Sequence, residues 1–307
     1  MQLVWRISFN PRALWQLFWD TAKAWNDFSA SRKGAALAYY TIFSLAPILI
    51  IAIAVAGLFF GEEAARGEIV DQVGGLLGRD GARAVQTMIE NSSQPGAGIA
   101  ATIIGIVTLL IGATTALAEL KTDLDEVWGV PPDRRSGLMY IIRTRLLSFG
   151  LILSLGFLLL VSLALSAILA AVTRTWGGYD ATSVLLQALN FLISFGLVTT
   201  LFAMIYKLLP SFKIAWHDVI IGAVVTAMLF NIGKFLIGMY LGNSAIASSY
   251  GAAGSVILVL VWVYYSTQIF LFGAEFTRVY AYRYGSYKGK KLPETHAFSG
   301  DRHVPTK

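Results

Sequence analysis

The sequence predicts an all-α, polytopic membrane protein with six transmembrane helices. Of its 307 residues, 56% are hydrophobic and 14% are charged, whereas soluble domains are about 25% charged. Six segments reach the roughly 20 apolar residues that a helix needs to cross hydrocarbon. Connections rich in Lys and Arg alternate along the chain with connections that contain few of them. These observations exclude an ordinary soluble enzyme.

The predicted spans divide the chain into three parts. Residues 1–34 form an N-terminal segment, residues 35–274 form the membrane domain, and residues 275–307 form a basic tail that we expect to be partly disordered. Lys234 is the charged residue within the spans. The spans are residues 35–60, 99–118, 146–172, 184–206, 219–240 and 255–274.

Lys and Arg predict the orientation, because basic connections stay in the cytoplasm. With six spans, nineteen of the 24 basic residues fall on the side of the two termini and four fall on the other side. An odd number of spans would scramble this bias. We therefore expect both termini in the cytoplasm.

The segment before the first span predicts an amphipathic helix that lies on the membrane interface. Asn10 and Pro11 have the pattern of an N-cap and a first helical residue. Apolar residues follow at helical spacing, and three of them are tryptophans, which favour the interface. These apolar residues are Leu14, Trp15, Phe18, Trp19, Ala22 and Trp25.

The connections suggest further amphipathic helices. The outer connection, residues 61–98, contains two helical patches that are either a cap on the outer leaflet or a lid over a cavity. After the second span, an apolar stripe of Leu120, Leu124 and Trp128 predicts that the helix continues into the cytoplasm. Its acids are expected to form a solvated face rather than a metal site.

The tail combines basic residues with tyrosines beside the last membrane exit. This composition suits anionic lipid headgroups, with about 1 kcal/mol contributed by each charge near the surface. Membrane lipids are therefore expected partners, and no nucleic acid is expected. The predicted headgroup contacts are Arg278, Arg283, Lys288, Lys290 and Lys291.

Metal and cofactor chemistry have little support. The chain has no cysteine and three scattered histidines, so the usual ligand sets of zinc or iron–sulfur sites cannot be assembled. His217 and Asp218 are adjacent and are expected to point to different faces. No ATP-binding loop of the GxxxxGK[ST] type is present. We expect no metal and no cofactor.

Polar residues within membrane spans are costly and are therefore candidates for a substrate pathway. Gln187 and Asn190 in span four, with Asn231 and Lys234 in span five, are expected at similar depths in the outer half. A second set lies toward the cytoplasm. It comprises Tyr40, Ser44, Glu119, Gln268, Glu275 and, higher on the same face, Tyr264.

Three simpler explanations stay open for these residues. The stem of Lys234 can snorkel outward to water. Glu119 and Glu275 can be solvated at the interface. The amides can serve as hydrogen bonds between helices.

Four blocks of the sequence resemble the YihY/BrkB family of bacterial inner-membrane proteins, formerly labelled ribonuclease BN. The first, Ser31–Pro47, reads SRKGAALAYYTIFSLAP and resembles the family's first span. The others are Ala118–Trp128, the Leu208–Leu209–Pro210 connection with its following Trp-His-Asp, and the stretch from Tyr250 to Glu275. The resemblance covers about residues 20–283. It implies six spans and an envelope location.

For function, we expect a transporter or exporter of an amphipathic or anionic substrate, including a lipid. The alternatives are an envelope assembly or scaffold protein and, third, a membrane-associated hydrolase or ribonuclease. The sequence argues against an enzyme, because no His–carboxylate cluster stands in a catalytic spacing. Substrate identity, direction, energy coupling and oligomeric state are not encoded in any recognisable motif.

Overall fold

The protein is described by a computed structural model over residues 11–67, 69–70, 82, 85–87, 89–90, 115–131, 180–242 and 252–290. All regular structure in these ranges is helical, as the sequence predicts. The main helices are α1 (Pro11–Asp27), α2 (Ala30–Phe60), α3 (115–127), α4 (Asp180–Leu208), α5 (Trp216–Gly242) and α6 (Ala252–Arg283).

Three of the described helices are long and apolar enough to cross a membrane: Phe191–Leu208, Trp216–Ile237 and Val256–Arg283. They correspond to the predicted spans 184–206, 219–240 and 255–274. The first predicted span, 35–60, lies within α2. Predicted span 146–172 and most of 99–118 lie outside the described residues, so the count of six stays a prediction.

Helix α6 is the centre of the described bundle, because α1, α2 and α5 all pack against it. Helix α4 packs on α5, and the short connection after Leu208 makes these two helices antiparallel. Pro210 explains why α4 stops there, since a proline disfavours helical backbone at the residue before it. The largest buried cluster joins α3, α4, α5 and α6 through residues such as Leu124, Tyr206, Ala227 and Leu271.

Helix α6 continues to Arg283, past the predicted end of the last span at residue 274. Phe276 and Val279 on this extension are buried against Leu17 of α1. The predicted boundary of the basic tail therefore falls inside a helix. The stripe of apolar residues at helical spacing, which packs on α1, accounts for the continuation.

Helix α1 begins at Pro11, as predicted, and is amphipathic. Leu17 and Thr21 are buried, and Phe18 packs on Phe272 and Phe276 of α6. Trp15 is 71% exposed on the opposite side. Much of the predicted apolar stripe thus faces away from the protein, where it is available to a membrane interface.

Part of the predicted outer connection packs on the bundle. Val85 and Ile89 are buried in one cluster with Ile53 of α2 and Val259 of α6. This part of the connection therefore rests against two helices, rather than only on the leaflet surface.

Close approach of α5 and α6 requires glycine at position 222. A Cβ atom there would lie 1.8 Å from Oγ1 of Thr277 and 2.8 Å from its Cβ. Gly196 on α4 has nothing within 4 Å of the equivalent point. We expect Gly222→Ala to lower the Tm in detergent by roughly 2 to 10 °C, because overpacking costs about 1 to 3 kcal/mol.

The matched substitution Gly196→Ala should leave the Tm unchanged or raise it, because alanine favours helix by about 1 kcal/mol. Equal Tm values for the two alanine variants would contradict the close packing of α5 on α6.

Candidate functional site

The structure separates the predicted pathway residues into two regions. Asn231 and Lys234 lie on α5 in the predicted outer half, whereas Gln268 and Glu275 lie on α6 nearer the predicted cytoplasmic end. Gln187, Asn190 and Ser44 are described as helical backbone only. Tyr40 and Glu119 are partly buried, and Tyr264 is partly exposed.

Lys234 is an exposed cation on α5, one turn beyond the part of the helix that packs on α4. Along one stripe of α5, Ala223 and Ala227 are buried, and Phe230 packs edge-on against Phe202 of α4 at 5.7 Å between ring centroids. Lys234 is one turn further along this stripe and is exposed. This stripe of α5 is therefore packed at one end and accessible at Lys234.

Exposed apolar side chains occur on the outer halves of both α4 and α5. Phe235 is 71% exposed beside Lys234, and Phe191 and Leu192 are exposed on the outer half of α4. Ser194 of α4 is also exposed, while the Asn231 amide donates to the backbone oxygen of Ala227 at 2.8 Å. A cation among exposed apolar side chains matches an amphipathic anion in both charge and polarity.

Gln268 is packed between helices rather than facing an open space. Its Nε2 donates to the backbone oxygen of Ala30 at 3.3 Å, and its amide lies against Gly34 of α2. The Oε1 atom is buried and has no hydrogen-bonding partner. An unsatisfied buried oxygen costs about 1 to 3 kcal/mol, so this amide is only partly explained by helix packing.

Glu275 and Arg278 form an ion pair inside the protein. The side chains are 0% and 1% exposed, and Oε2 of Glu275 lies 2.8 Å from Nη2 of Arg278. Glu275 is therefore not solvated at the interface. Arg278 is likewise inside the protein, rather than at the surface where headgroups were expected, because the Glu275 carboxylate pairs with it.

A second set of charges joins α2 to α3. Nζ of Lys33 donates to Oδ1 of Asp123 at 3.1 Å and to Oε2 of Glu126 at 2.7 Å. The ammonium also lies 4.7 Å from the ring centroid of Phe28. Asp123 is 1% exposed, and its Oδ2 has no hydrogen-bonding partner. The predicted solvated acidic face of α3 is thus partly buried.

Burial dominates the electrostatics of Asp123. The pKa of this carboxyl is raised to about 6, chiefly by desolvation and also by the charges of Glu119 and Glu126, against the opposing effect of Lys33. For Lys33, burial by itself would lower the pKa of the ammonium. The hydrogen bond to Glu126 and the charge of Asp123 outweigh burial and raise the pKa.

Two further sets of hydrogen bonds link helices to neighbouring connections. Oδ2 of Asp218 accepts hydrogen bonds from the backbone N and Oγ of Ser286, which ties the start of α5 to the turn after α6. Asp125 accepts from the backbone N of Ser211 at 2.5 Å and so ties α3 to the α4–α5 connection. The imidazole of His217 lies 3.1 Å from Asp218, closer than adjacent residues on different helical faces were expected to lie.

The remaining predicted headgroup residues differ in their surroundings. Arg283 pairs with Asp20 of α1, whereas Lys288 and Lys290 are exposed, the latter 4.8 Å from the ring centroid of Tyr287. Lys291 lies outside the described residues. Among the described residues, no group of three His, Asp or Glu side chains could hold a metal ion.

The family model for the virulence factor BrkB matches residues 21–297. The chain belongs to the BrkB family. Proteins named UPF0761 membrane protein are 27% identical in Alkalilimnicola ehrlichii over 81% of this chain and 55% of the relative, and 29% identical in Teredinibacter turnerae over 83% and 58%. The relative in Stenotrophomonas maltophilia is 28% identical over 96% and 66%.

The BrkB-family chain spans somewhat more than half the length of the first of these curated relatives. No solved structure matches it. The names of the relatives and the long apolar helices agree that this BrkB-family chain is a membrane protein.

Sequence reasoning missed the cluster formed by Lys33, Asp123 and Glu126. Lys33 lies 90 residues from Asp123 along the chain, so no spacing rule connects them. The separation of Asp123 and Glu126 by three residues was the available signal, because it places both acids on neighbouring positions of one helix face.

Proposed function

We propose that this BrkB-family protein is a transporter or exporter in the bacterial inner membrane, with both termini in the cytoplasm, and that it carries an amphipathic anion such as a lipid. The single observation that carries the proposal is the exposed Lys234 on α5, a helix that is apolar enough to cross a membrane, one turn beyond the packed Phe230. An exposed lysine on an otherwise packed stripe attracts an anionic group, and the exposed Phe235, Phe191 and Leu192 suit an acyl chain.

The proposed partners are membrane lipids and an amphipathic substrate, rather than nucleic acid. Lys288 and Lys290 are exposed beyond the end of α6 and are suited to anionic headgroups at the proposed cytoplasmic surface. No enzymatic role is proposed. The carboxylate beside His217 is buried and bonded to Ser286, which supports a structural role for Asp218.

The test is reconstitution of the purified protein into liposomes of phosphatidylglycerol and phosphatidylethanolamine, with lipid scrambling and solute flux measured in parallel. We expect Lys234→Ala to reduce transfer of the anionic lipid several-fold and Lys234→Glu to reduce it further, because each kcal/mol of lost attraction is worth about a factor of 5. Lys213→Ala is the control, since Lys213 is an exposed lysine in the α4–α5 connection. Equal transfer by wild type and both Lys234 variants would contradict the proposal.

A scaffold is the second candidate, and the packing of Gln268 favours it. Its amide is held against Ala30 and Gly34 without space for a substrate. A scaffold predicts no lipid or solute transfer by any variant in the same liposomes.

A further inference from the structure

The charged cluster consists of Lys33, Asp123 and Glu126 together with the neighbouring ion pair of Glu275 and Arg278. The two parts are coupled, because Glu126 and Asp27 lie near enough to Glu275 to interact with it electrostatically. Glu119 acts on Asp123 in the same way from one turn earlier in α3. Helices α1, α2, α3 and α6 therefore all contribute charge to one region.

This region contains more acids than bases. The acids are Asp27, Glu119, Asp123, Glu126 and Glu275, and the bases are Lys33 and Arg278. Charges that are removed from water must be compensated, or the group takes up or releases a proton. Asp123 is 1% exposed, and only its Oδ1 contacts Lys33, whereas its Oδ2 has no hydrogen-bonding partner. Both oxygens of the buried Glu275 also lack hydrogen bonds, but its carboxylate is paired with Arg278.

We propose that the charged cluster binds one exchangeable proton, held on the carboxylate of Asp123, and that this proton is the ion coupled to transport. The inference rests on the proposed function for the coupling, but not for the binding of the proton. Proton binding takes a proton from water, forms an O–H bond on Asp123 and neutralises its charge.

The geometry favours a proton over a metal ion. Oδ1 of Asp123 and Oε2 of Glu126 both point at the same ammonium, Nζ of Lys33, rather than converging on a free position. A metal ion would have to displace Lys33 and find further oxygens. A proton needs only the unpartnered Oδ2.

The position of Asp123 gives the proton a structural consequence. Lys33 begins the membrane helix α2, and Asp123 and Glu126 belong to α3. When Asp123 is protonated, Lys33 is attached to α3 by Glu126 alone. A proton on Asp123 thus weakens the link between two helices, which is the type of change that alternating access requires.

The binding of the proton is tested by infrared titration of the full-length protein in liposomes, following the C=O stretch of protonated carboxyl groups against pH. We expect one carboxyl group to titrate near pH 6 and to be lost in Asp123→Asn. In Glu119→Gln the midpoint should move to lower pH, because the negative charge that favours the proton is removed. Glu62→Gln is the control, since Glu62 is 70% exposed and distant in the chain, paired with Arg66.

An unchanged titration in Asp123→Asn would overturn the proposal, and so would an unshifted midpoint in Glu119→Gln if Asp123→Asn does not fold.

The coupling is tested separately by imposing a pH gradient on the transport assay. We expect the gradient to stimulate wild-type transfer and to have no effect on transfer by Asp123→Asn. Equal stimulation of both would overturn the coupling. A protein that titrates without transporting would instead contradict the proposed function and leave the proton site intact.

Discussion

Replacing Arg278 by methionine is expected to lower the Tm of the purified protein by roughly 10 °C. The substitution keeps an unbranched apolar stem but removes the charge that faces Glu275, which is fully buried. An uncompensated buried carboxylate costs about 3 to 5 kcal/mol. The loss is measured by thermal unfolding in detergent at pH 8, with resistance to protease as a second readout.

The double variant Glu275→Leu, Arg278→Met provides the control for this ion pair. Because it removes both charges and leaves groups of similar volume, we expect it to recover most of the lost Tm. Arg66→Met removes a more exposed partner of Glu62 and should change the Tm little, since surface ion pairs contribute about 0 to 1 kcal/mol. A single Arg278 variant as stable as wild type would show that the pair is not buried.

Replacing Lys33 by methionine is expected to produce a loss of stability that depends on pH. At pH 8, Asp123 and Glu126 lose the cation between them, and the Tm should fall by roughly 10 °C. At pH 5 the fall should be much smaller, because Asp123 carries a proton and no longer needs the cation. Thermal unfolding measured across this pH range checks the prediction.

The direction of the pH effect follows from the pKa of Asp123. Its carboxyl has an ordinary pKa of 3.8, and burial raises the pKa in the folded protein to about 6. Between these values the folded chain retains a proton that the unfolded chain has released, so this group makes stability fall as pH rises. Lys33 lowers the pKa of Asp123, so Lys33→Met raises this pKa and extends the loss of stability to higher pH. A deficit that is equal at pH 5 and pH 8 would contradict the burial of Asp123 beside Lys33.

Lys121→Met is the matched control for Lys33→Met. Lys121 pairs with Asp125 four residues later on the same helix and also donates to Oγ of Ser211. The carboxylate left behind differs, because Asp125 is 16% exposed whereas Asp123 is 1% exposed. We expect a smaller change in Tm that varies little between pH 5 and pH 8.

Much of the fold could be predicted from the sequence, because membrane helices must satisfy their backbone internally and are therefore long and apolar. The predicted span 219–240 lies within Trp216–Gly242, and 184–206 lies within Asp180–Leu208. Helix α6 continues to Arg283, past the predicted end of the last span at residue 274. Phe276 and Val279 continue the apolar stripe past Glu275, but the charges that follow resemble a membrane exit.

The candidate site was only partly predictable. The depth of Lys234 and Asn231 in α5 follows from counting residues, whereas the exposure of Lys234 is visible only in the structure. The cluster of Lys33, Asp123 and Glu126 depends on how two helices far apart in sequence meet.

The sequence by itself therefore determined that the protein lies in a membrane, that it is helical and in which order the apolar segments follow. These properties depend on composition and on local hydrogen bonding. Only the tertiary structure decided which charges are buried and which are paired. Arg278 and Lys290 have the same charge and lie in the same basic stretch, yet one is 1% exposed and the other is exposed at the surface. The difference arises because burial is set by neighbouring helices, and α6 turns Arg278 toward them while Lys290 lies beyond its end.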